Sequence, residues 1–500
     1  MSWQEEIEAI EQRRDLLSRG ADPIRLERAL AQGKLRIRDR IALLADPGSF
    51  RPRGGLSGGR AIHDERGDVV AIMPSGGMTG RCTVGGRGVV VTGNDSTTRQ
   101  DGPKTEHWPA YHRRGTGRAE NYAYHLRLPL VRVLDAPGAS VRSYEGSGRP
   151  EVVWNVWADA TTQLLSTVPV VSVVAGAAAG LPAIETCLGH FSVIVRGNGQ
   201  AFPGGPPVVK VALGYEVSKE DLGGADLLAP IGVVDYVAAD EAEAFAIVKR
   251  FLSYLPENAW QMPPRTAAGV EPAGDAGRLI AVVSEGEPRC YDPYEILDGV
   301  FDKGSVFEMG ALAGPEGITA FARLDGYPVG VVIRNPNTPS AGALGVISSE
   351  KVARFVELCD TFHLPVVSFV DEPGAQGFDH RAGDRLGGIV RARAQLIQTI
   401  YHTSTPWISF VVGRAHGVAG SMTRRPRGFH RHYAWPSAYW ESADGRGERL
   451  PAFPAMDLYG VDDMIDPRNT RQLLREFIES AQPIIATQLG PVTTRPAYRV

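Results

Sequence analysis

The sequence predicts an α/β protein in which one layered unit of about 230 residues is written twice. Three observations carry this prediction. The stretch Val168–Ile184, VPVVSVVAGAAAGLPAI, returns from Thr405 as TPWISFVVGRAHGVAG, with Pro169 and Pro406 237 positions apart. Four other pairs recur in the same order. LADPGSF (44–50) returns as VFDKGSVF (300–307), and GGRGVVV (85–91) as DGYPVGVV (325–332). LPLVRVLDAPGAS (128–140) returns as LPVVSFVDEPGAQ (364–376), and GVVDYVAADEAEAF (232–245) as GVDDMIDPRNTRQL (460–473). Finally, β-branched apolar runs alternate with amphipathic stretches, the pattern of strands layered with helices.

Residues 2–19 place Ile7, Ile10, Leu16 and Leu17 at helical spacing among charges and read as an amphipathic helix. Lys34–Leu44 is a second, basic helix, stopped by Asp46-Pro47-Gly48. Val69–Met73 and Gly88–Thr92 are short strands, and Asn94–Thr116 is a polar loop. The helix Ala119–Arg127 feeds the strand Leu130–Leu134, which ends at the turn Asp135-Ala136-Pro137-Gly138. Val152–Leu165 is a helix ahead of the central stretch. There Val170, Val171, Val173 and Val174 form a buried strand, and Gly176–Gly180, all Gly and Ala, reads as a tight turn opening a helix. Phe191–Arg196 is the next strand, Pro206–Ala225 a loop-rich surface, and Asp240–Leu255 a closing amphipathic helix. Pro263–Gly277, rich in Pro, Gly and Ala, has the composition of a linker. The expected division is an amino-terminal domain of residues 1–261, a linker of 262–289 and a carboxyl-terminal domain of 290–500. The second copy predicts strands at Gly317–Leu324, Pro328–Arg334, Val366–Val370 and Trp407–Val412. It also predicts helices at Gly383–His402 and Thr470–Thr487, and an irregular basic stretch at Arg424–His432.

Composition excludes several classes. A net charge of −4 without a basic block leaves no nucleic-acid footprint. Cys82, Cys187, Cys290 and Cys359 lie far apart and make neither a disulfide framework nor a zinc pair, so a reducing cytoplasm is expected. The start, MSWQEEIEAIEQRR, lacks the apolar core of a signal peptide. Leu164–Ile184 is uncharged and long enough to cross a bilayer, but its prolines, Gly/Ala run and strand-type valines make it a buried strand and turn. No membrane span is expected.

A side-chain catalyst is not evident. The sequence holds no GxSxG elbow, no P-loop, no GxGxxG opening a helix after a strand and no HExxH, and no metal is expected. His190, His363 and His416 fall near strand ends and read first as packed or capping residues. Asp135 and Asp371 end equivalent strands, where turn and cap duty is favoured over catalysis. What remains is backbone N–H. A turn opening a helix presents N–H groups without intrahelical acceptors, backed by the helix dipole. One Gly/Ala turn is explained as well by close packing. Two in register suit a reaction with two oxyanions, an enolate on one partner and a ureido or carboxylate oxygen on the other.

Longer motifs sharpen this. GKLRIRDRIALLADPGSF (33–50), GPPVVKVALGYEVSKEDLGGADL (205–227), FLSYLPEN (251–258), PYEILDGVFDKGSVFEMG (293–310), FVELCDTFHLPVVSFVDEPG (355–374), YAWPS (433–437) and GVDDMIDPRNTR (460–471) span nearly the whole chain. Together they resemble the carboxyltransferase (β) subunits of biotin-dependent acyl-CoA carboxylases, in the crotonase superfamily. The resemblance implies two tandem crotonase-like (ClpP/crotonase) ββα-spiral domains. The amino half would bind acyl-CoA, and the carboxyl half carboxybiotin carried by a partner subunit, in a hexamer built from dimers. It implies that Gly180-Leu181 hold the thioester oxyanion, with Gly138, Ala139 and Ala179 along the acyl-CoA. It places Gly417, Val418 and Ala419 at biotin, with Val418-Ala419 holding the ureido oxygen. It implies too that the biotin nitrogen takes the α-proton, so that no side-chain base is needed.

This sequence also departs from its relatives. Leu181 and Val418 stand where many carry glycine, and the strand-end DSGGAR pattern becomes DAPGAS, with Ser140 in place of an arginine. The segment after YAWPS, YWESADGRGERLPAFPAMD, is charged and shortened. Two other readings therefore stay open. One is a biotin-independent decarboxylase or other enolate-forming enzyme. The other is a non-catalytic structural subunit of a carboxylase complex.

Overall fold

Two sheets of the same topology carry the fold. The computed structural model describes residues 3–19, 23–53, 60–67, 69–73, 77–94, 119–136, 156–283, 291–376, 384–421, 428–442 and 449–492. These fall into two compact units, one of residues up to 228 with 237–249, the other of 229–236 and from 250 onward. In the first unit the antiparallel hairpin Gly77–Val84/Arg87–Asn94 is followed by the parallel strands Leu130–Ala136, Val170–Ala179 and Phe191–Val195. In the second, the hairpin Gly317–Leu324/Tyr327–Arg334 is followed by Val366–Glu372, Trp407–His416 and His430–Ala434, again parallel. Strands buried on both faces are near-continuous Val, Ile and Phe, as parallel sheets require.

The duplication reaches single hydrogen bonds. Asp46 accepts from the N–H groups of Gly85 and Gly86 (2.9 and 2.8 Å), the two residues that turn the first hairpin. Asp302 accepts from Asp325 and Gly326 at the same place in the second (3.0 and 2.9 Å). All four turn residues have positive φ, the conformation that suits a two-residue hairpin to strand twist. Ser49 Oγ and Ser305 Oγ then accept from Thr83 N and Arg323 N (3.2 and 3.0 Å).

The long middle strand of each sheet changes partner along its length. Ala177–Ala179 pair with Gln200–Phe202, and Arg414–His416 with Tyr439–Glu441. A strand that switches partner must bend, and both bend at a bulge. The ladder steps from Leu134↔Val174 to Ala136↔Ala178, and from Val370↔Val411 to Glu372↔Ala415.

These bulges revise the expected turns. The strands run on to Ala179 and His416, so Gly176–Gly180 is not a turn as a whole. A Cβ on Gly176 would overlap the Asp135 carboxylate, and one on Gly413 would overlap Asp371. The mid-strand glycines make room for buried carboxylates, and Gly180 and Gly417 alone take the left-handed conformation at the strand ends.

Pro206–Ala225 is helical rather than loop-rich, with helices at Pro206–Leu213, Lys219–Gly223 and Ala225–Leu228. Its prolines open the first helix and Ser218 caps the second by accepting from Asp221 N (3.0 Å), so residues that read as breakers are starters. The strand His430–Ala434 begins within the stretch expected to be irregular, and the strand Gly77–Val84 and helix Pro23–Ala31 add to the expected elements. The segment of linker composition lies along the second unit's hairpin. Thr266 N donates to Gly326 O (3.0 Å), and Arg265 pairs with Asp325 (2.9 Å) and stacks over Tyr327. The expected loop beyond Asn94, the turn with Gly138, Ala139 and Ser140, residues 152–155, Cys290, Gly383 and residues 424–427 lie outside the described residues. Among the described residues no helix is long and apolar enough to cross a membrane.

Candidate active site

The first turn closes a strand that is buried at all ten positions, Val170–Ala179. Gly180 takes φ 68° and ψ −122°, a region that L side chains avoid. Its N–H donates to Phe202 O (3.1 Å), and its carbonyl accepts from Ala183 N and Ile184 N (3.1 and 3.2 Å), starting the helix Leu181–Cys187. The expectation that Gly180 and Leu181 donate together is thereby narrowed. The Gly180 N–H is committed to the sheet, Pro182 has none, and the Leu181 N–H, at the first helical position, has no intrahelical acceptor. Ser172 Oγ donates to Glu185 O (2.8 Å) and ties this helix to the strand beneath it.

The second turn repeats the plan. His416 ends the strand, Gly417 takes φ 53°, and the helix Gly417–Ser421 begins. A Cβ on Gly420 would lie 2.6 Å from the Ala415 carbonyl carbon, so glycine lets this helix sit on the strand. Val418 is 73% exposed and Ala419 half-buried, so the valine's bulk fills no interior space.

Behind each turn a buried carboxylate fixes the bulge. Asp135 receives Arg40 Nη1 (3.1 Å), and Lys34 Nζ lies 3.8 Å away. Arg40 is fully buried and forks onto Glu241 through Nε and Nη2 (2.7 and 2.8 Å). Burial opposes its charge, but Glu241 and Asp135 hold its pKa above the ordinary value. Asp371 instead receives its neighbour across the ladder: Arg414 N and Nε donate to Oδ1 (2.8 and 2.7 Å) and Nη2 to Oδ2 (2.9 Å). Both aspartates are structural, but as ion-pair partners that hold the bulges rather than as the turn and cap residues expected.

The histidines divide. His190 Nδ1 accepts from Val170 N (3.0 Å), so Nε2 carries the proton and donates to Leu165 O (2.9 Å). That fixes a neutral tautomer with both nitrogens in use. His190→Ala strands the buried Val170 N–H and is expected to lower stability by about 1–3 kcal/mol, read by thermal unfolding. His363 is also packed, with Nε2 2.8 Å from Ala259 O. His416 differs. Its buried Nε2 faces Glu441 Oε2 at 3.5 Å and has no hydrogen-bond partner among the described residues. Burial pushes its pKa below the usual histidine value, against the pull of Glu441. Ala179 and Phe202 occupy the same ladder position in the first unit, so the second turn alone carries an ionisable pair. Sequence reading missed this pair. Glu441 stood out only as part of a charged segment, and its register with His416 follows from a strand that composition does not announce.

Burial pushes the Cys82 thiol up to about 11, and Cys359 is raised too, so neither is an activated thiolate. Among the described residues no cluster of His, Cys, Asp and Glu could hold a metal ion.

Residues 28–440 match the carboxyl transferase domain. The chain is 29% identical to the propionyl-CoA carboxylase carboxyltransferase subunit of Haloferax mediterranei, over 95% of each chain. It is 28% identical to methylmalonyl-CoA decarboxylase subunit alpha of Veillonella parvula, over 99% of this chain and 94% of that one. Among solved structures it is similar to transcarboxylase 12S, a hexamer with hydrolysed methylmalonyl-coenzyme A bound. That match has a TM-score of 0.82 and 26% identity, over 100% of this chain and 99% of the other.

Proposed function

The chain belongs to the carboxyl transferase domain family, and from that membership we infer that it is the carboxyltransferase subunit of an acyl-CoA carboxylase. The reaction moves CO2 from carboxybiotin to the α-carbon of an acyl-CoA. The two parallel-sheet units are the tandem crotonase-like domains that the motifs imply.

The observation that carries the assignment of roles is one turn built twice, at the end of the middle strand of each unit. Leu181 N–H, set by the Gly180 turn, faces the thioester oxyanion, with Ala179, Gly138 and Ala139 along the acyl-CoA. At the second turn Gly417, Val418 and Ala419 receive the ureido oxygen. Exposed Gly417 and Val418 leave that turn open to a ring, which supports the fit. Carboxybiotin, borne by a partner carrier subunit, supplies the carboxyl group and the nitrogen that accepts the α-proton. This chain's own task is to hold developing oxyanions with preset N–H groups, the arrangement worth most where charge appears only in the transition state. By analogy with the transcarboxylase 12S hexamer, the working form is a hexamer, placed in the cytoplasm.

A second reading is biotin-independent decarboxylation of a malonyl-type CoA: the Veillonella parvula relative is named as a methylmalonyl-CoA decarboxylase subunit, and independence from biotin rests on the altered segment after YAWPS. Mass spectrometry of malonyl-CoA and methylmalonyl-CoA incubated with purified protein, with and without free biotin, separates the two. Carboxyl loss only with biotin is expected. Loss without biotin gives the decarboxylase, and binding without turnover in either case gives the structural subunit.

A further inference from the structure

Next to the Asp371 bulge the second unit holds a charge imbalance that the proposed reaction does not use. Glu372 receives two guanidinium groups. Arg334 Nε and Nη2 donate to its Oε2 (2.9 and 2.5 Å), and Arg393 Nη2 donates to Oε1 (3.1 Å) and to Gly374 O (2.8 Å). Arg334, Glu372 and Arg393 are 8%, 3% and 8% exposed. Two cations on one anion leave one positive charge uncompensated among the described residues, in a site where an unpaired charge is costly. Burial pushes the Arg393 guanidinium below its ordinary value; Glu372 opposes this and Arg334 adds to it.

Two donors are also left over. Arg334 Nη1 and Arg393 Nη1 are buried with no hydrogen-bond partner among the described residues. Arg334, Glu372 and Ser368 line a cavity of about 30 Å³ whose other walls are Ala419, Trp407 and aliphatic or aromatic side chains; Arg393 stands behind it, on Glu372. That is room for more than one water-sized group. Water could satisfy the donors but would leave the charge. A small anion in the cavity would give Arg334 Nη1 a partner and offset the charge, and a guanidinium pairs best with the coplanar oxygens of a carboxylate-like group. The first unit has no counterpart, since Ala136 and Asn94 stand at the register positions of Glu372 and Arg334.

We propose that this cavity binds one small oxyanion of formate or bicarbonate size, with Arg334 supplying the donor and Arg393 the second positive charge. The occupant rests against Ala419, on the inner side of the second turn, so its presence braces that turn. The assignment stands apart from whether the turn receives biotin.

The test uses the full-length protein. Its Tm is followed while sodium formate or sodium bicarbonate replaces sodium gluconate, whose anion is too large for the cavity, at constant ionic strength. A saturable rise of about 2–4 °C at a hundredfold excess over Kd is expected. Arg334→Met leaves Arg393 and Glu372 as a balanced pair and is expected to abolish the saturable rise. Equal rises in both proteins, or none in the wild type, overturn the site. A bromide-soaked crystal of the wild type gives a readout free of any folding defect in the variant. An anomalous peak within hydrogen-bond distance of Arg334 Nη1 is expected, and a water in that place overturns the proposal.

Discussion

Leu181→Pro is expected to lower kcat for carboxyl transfer by about 10²–10³-fold while the protein stays folded. Leu181 is the first residue of its helix, and Gly180 before it has already spent its N–H on Phe202. Proline is well tolerated at a first helical position, because the N–H lost there has no intrahelical acceptor and the fixed φ suits the helix. The substitution therefore removes one donor and little else. Since the oxyanion forms in the transition state, the loss falls on kcat, and the KM for acyl-CoA changes little. Leu181→Ala keeps the N–H and serves as the control, with kcat close to wild type. Steady-state kinetics on both variants decide the matter. A Leu181→Pro enzyme that keeps more than about a tenth of wild-type kcat would falsify the assignment of this N–H.

The sequence made the duplication readable because strand cores repeat in pattern: LPLVRVLD and LPVVSFVD share four of eight residues and place apolar residues opposite one another at three more. Runs of β-branched residues located most strands, and Gly317–Leu324 came out with its observed bounds. What failed to show was whatever depends on a partner far along the chain. Gly176 reads as a turn residue because local composition cannot reveal the Asp135 carboxylate that needs its space. Arg40 reads as one more charge on a basic helix, since Asp135 and Glu241 arrive from distant elements. The commitment of the Gly180 N–H depends on Phe202 joining the ladder, and the His416–Glu441 pair on Tyr439–Glu441 doing the same. The places of the two turns were legible. Which of their N–H groups can donate was not, because that is a property of the ladder.

The largest stability effect is expected from Arg40→Ala. This guanidinium is fully buried and is the close cation for two buried carboxylates, Asp135 and Glu241. Removing it leaves both in the interior, with Lys34 3.8 Å from Asp135 and the Leu35 N–H still donating to Glu241 (3.2 Å). Breaking one side of such a network costs about 3–5 kcal/mol. Thermal unfolding should then show a fall in Tm on the order of 10 °C. Arg40→Lys should recover little, because an ammonium cannot fork onto Glu241 while reaching Asp135. The matching change in the second unit, Arg414→Ala, should cost less. Arg414 is half-buried, and Asp371 would still accept its backbone N–H. The two bulges are alike in shape but held differently. The first is clamped from the helices Ile37–Leu44 and Glu241–Tyr254, so it reports on the integrity of the whole unit. The second is held chiefly by the strand that forms it, with one further bond from Arg414 to Ala341 O (2.8 Å). Loss of Arg40 should therefore unfold the first unit before it alters chemistry. Loss of Arg414 should disturb the second turn while the unit around it stays folded.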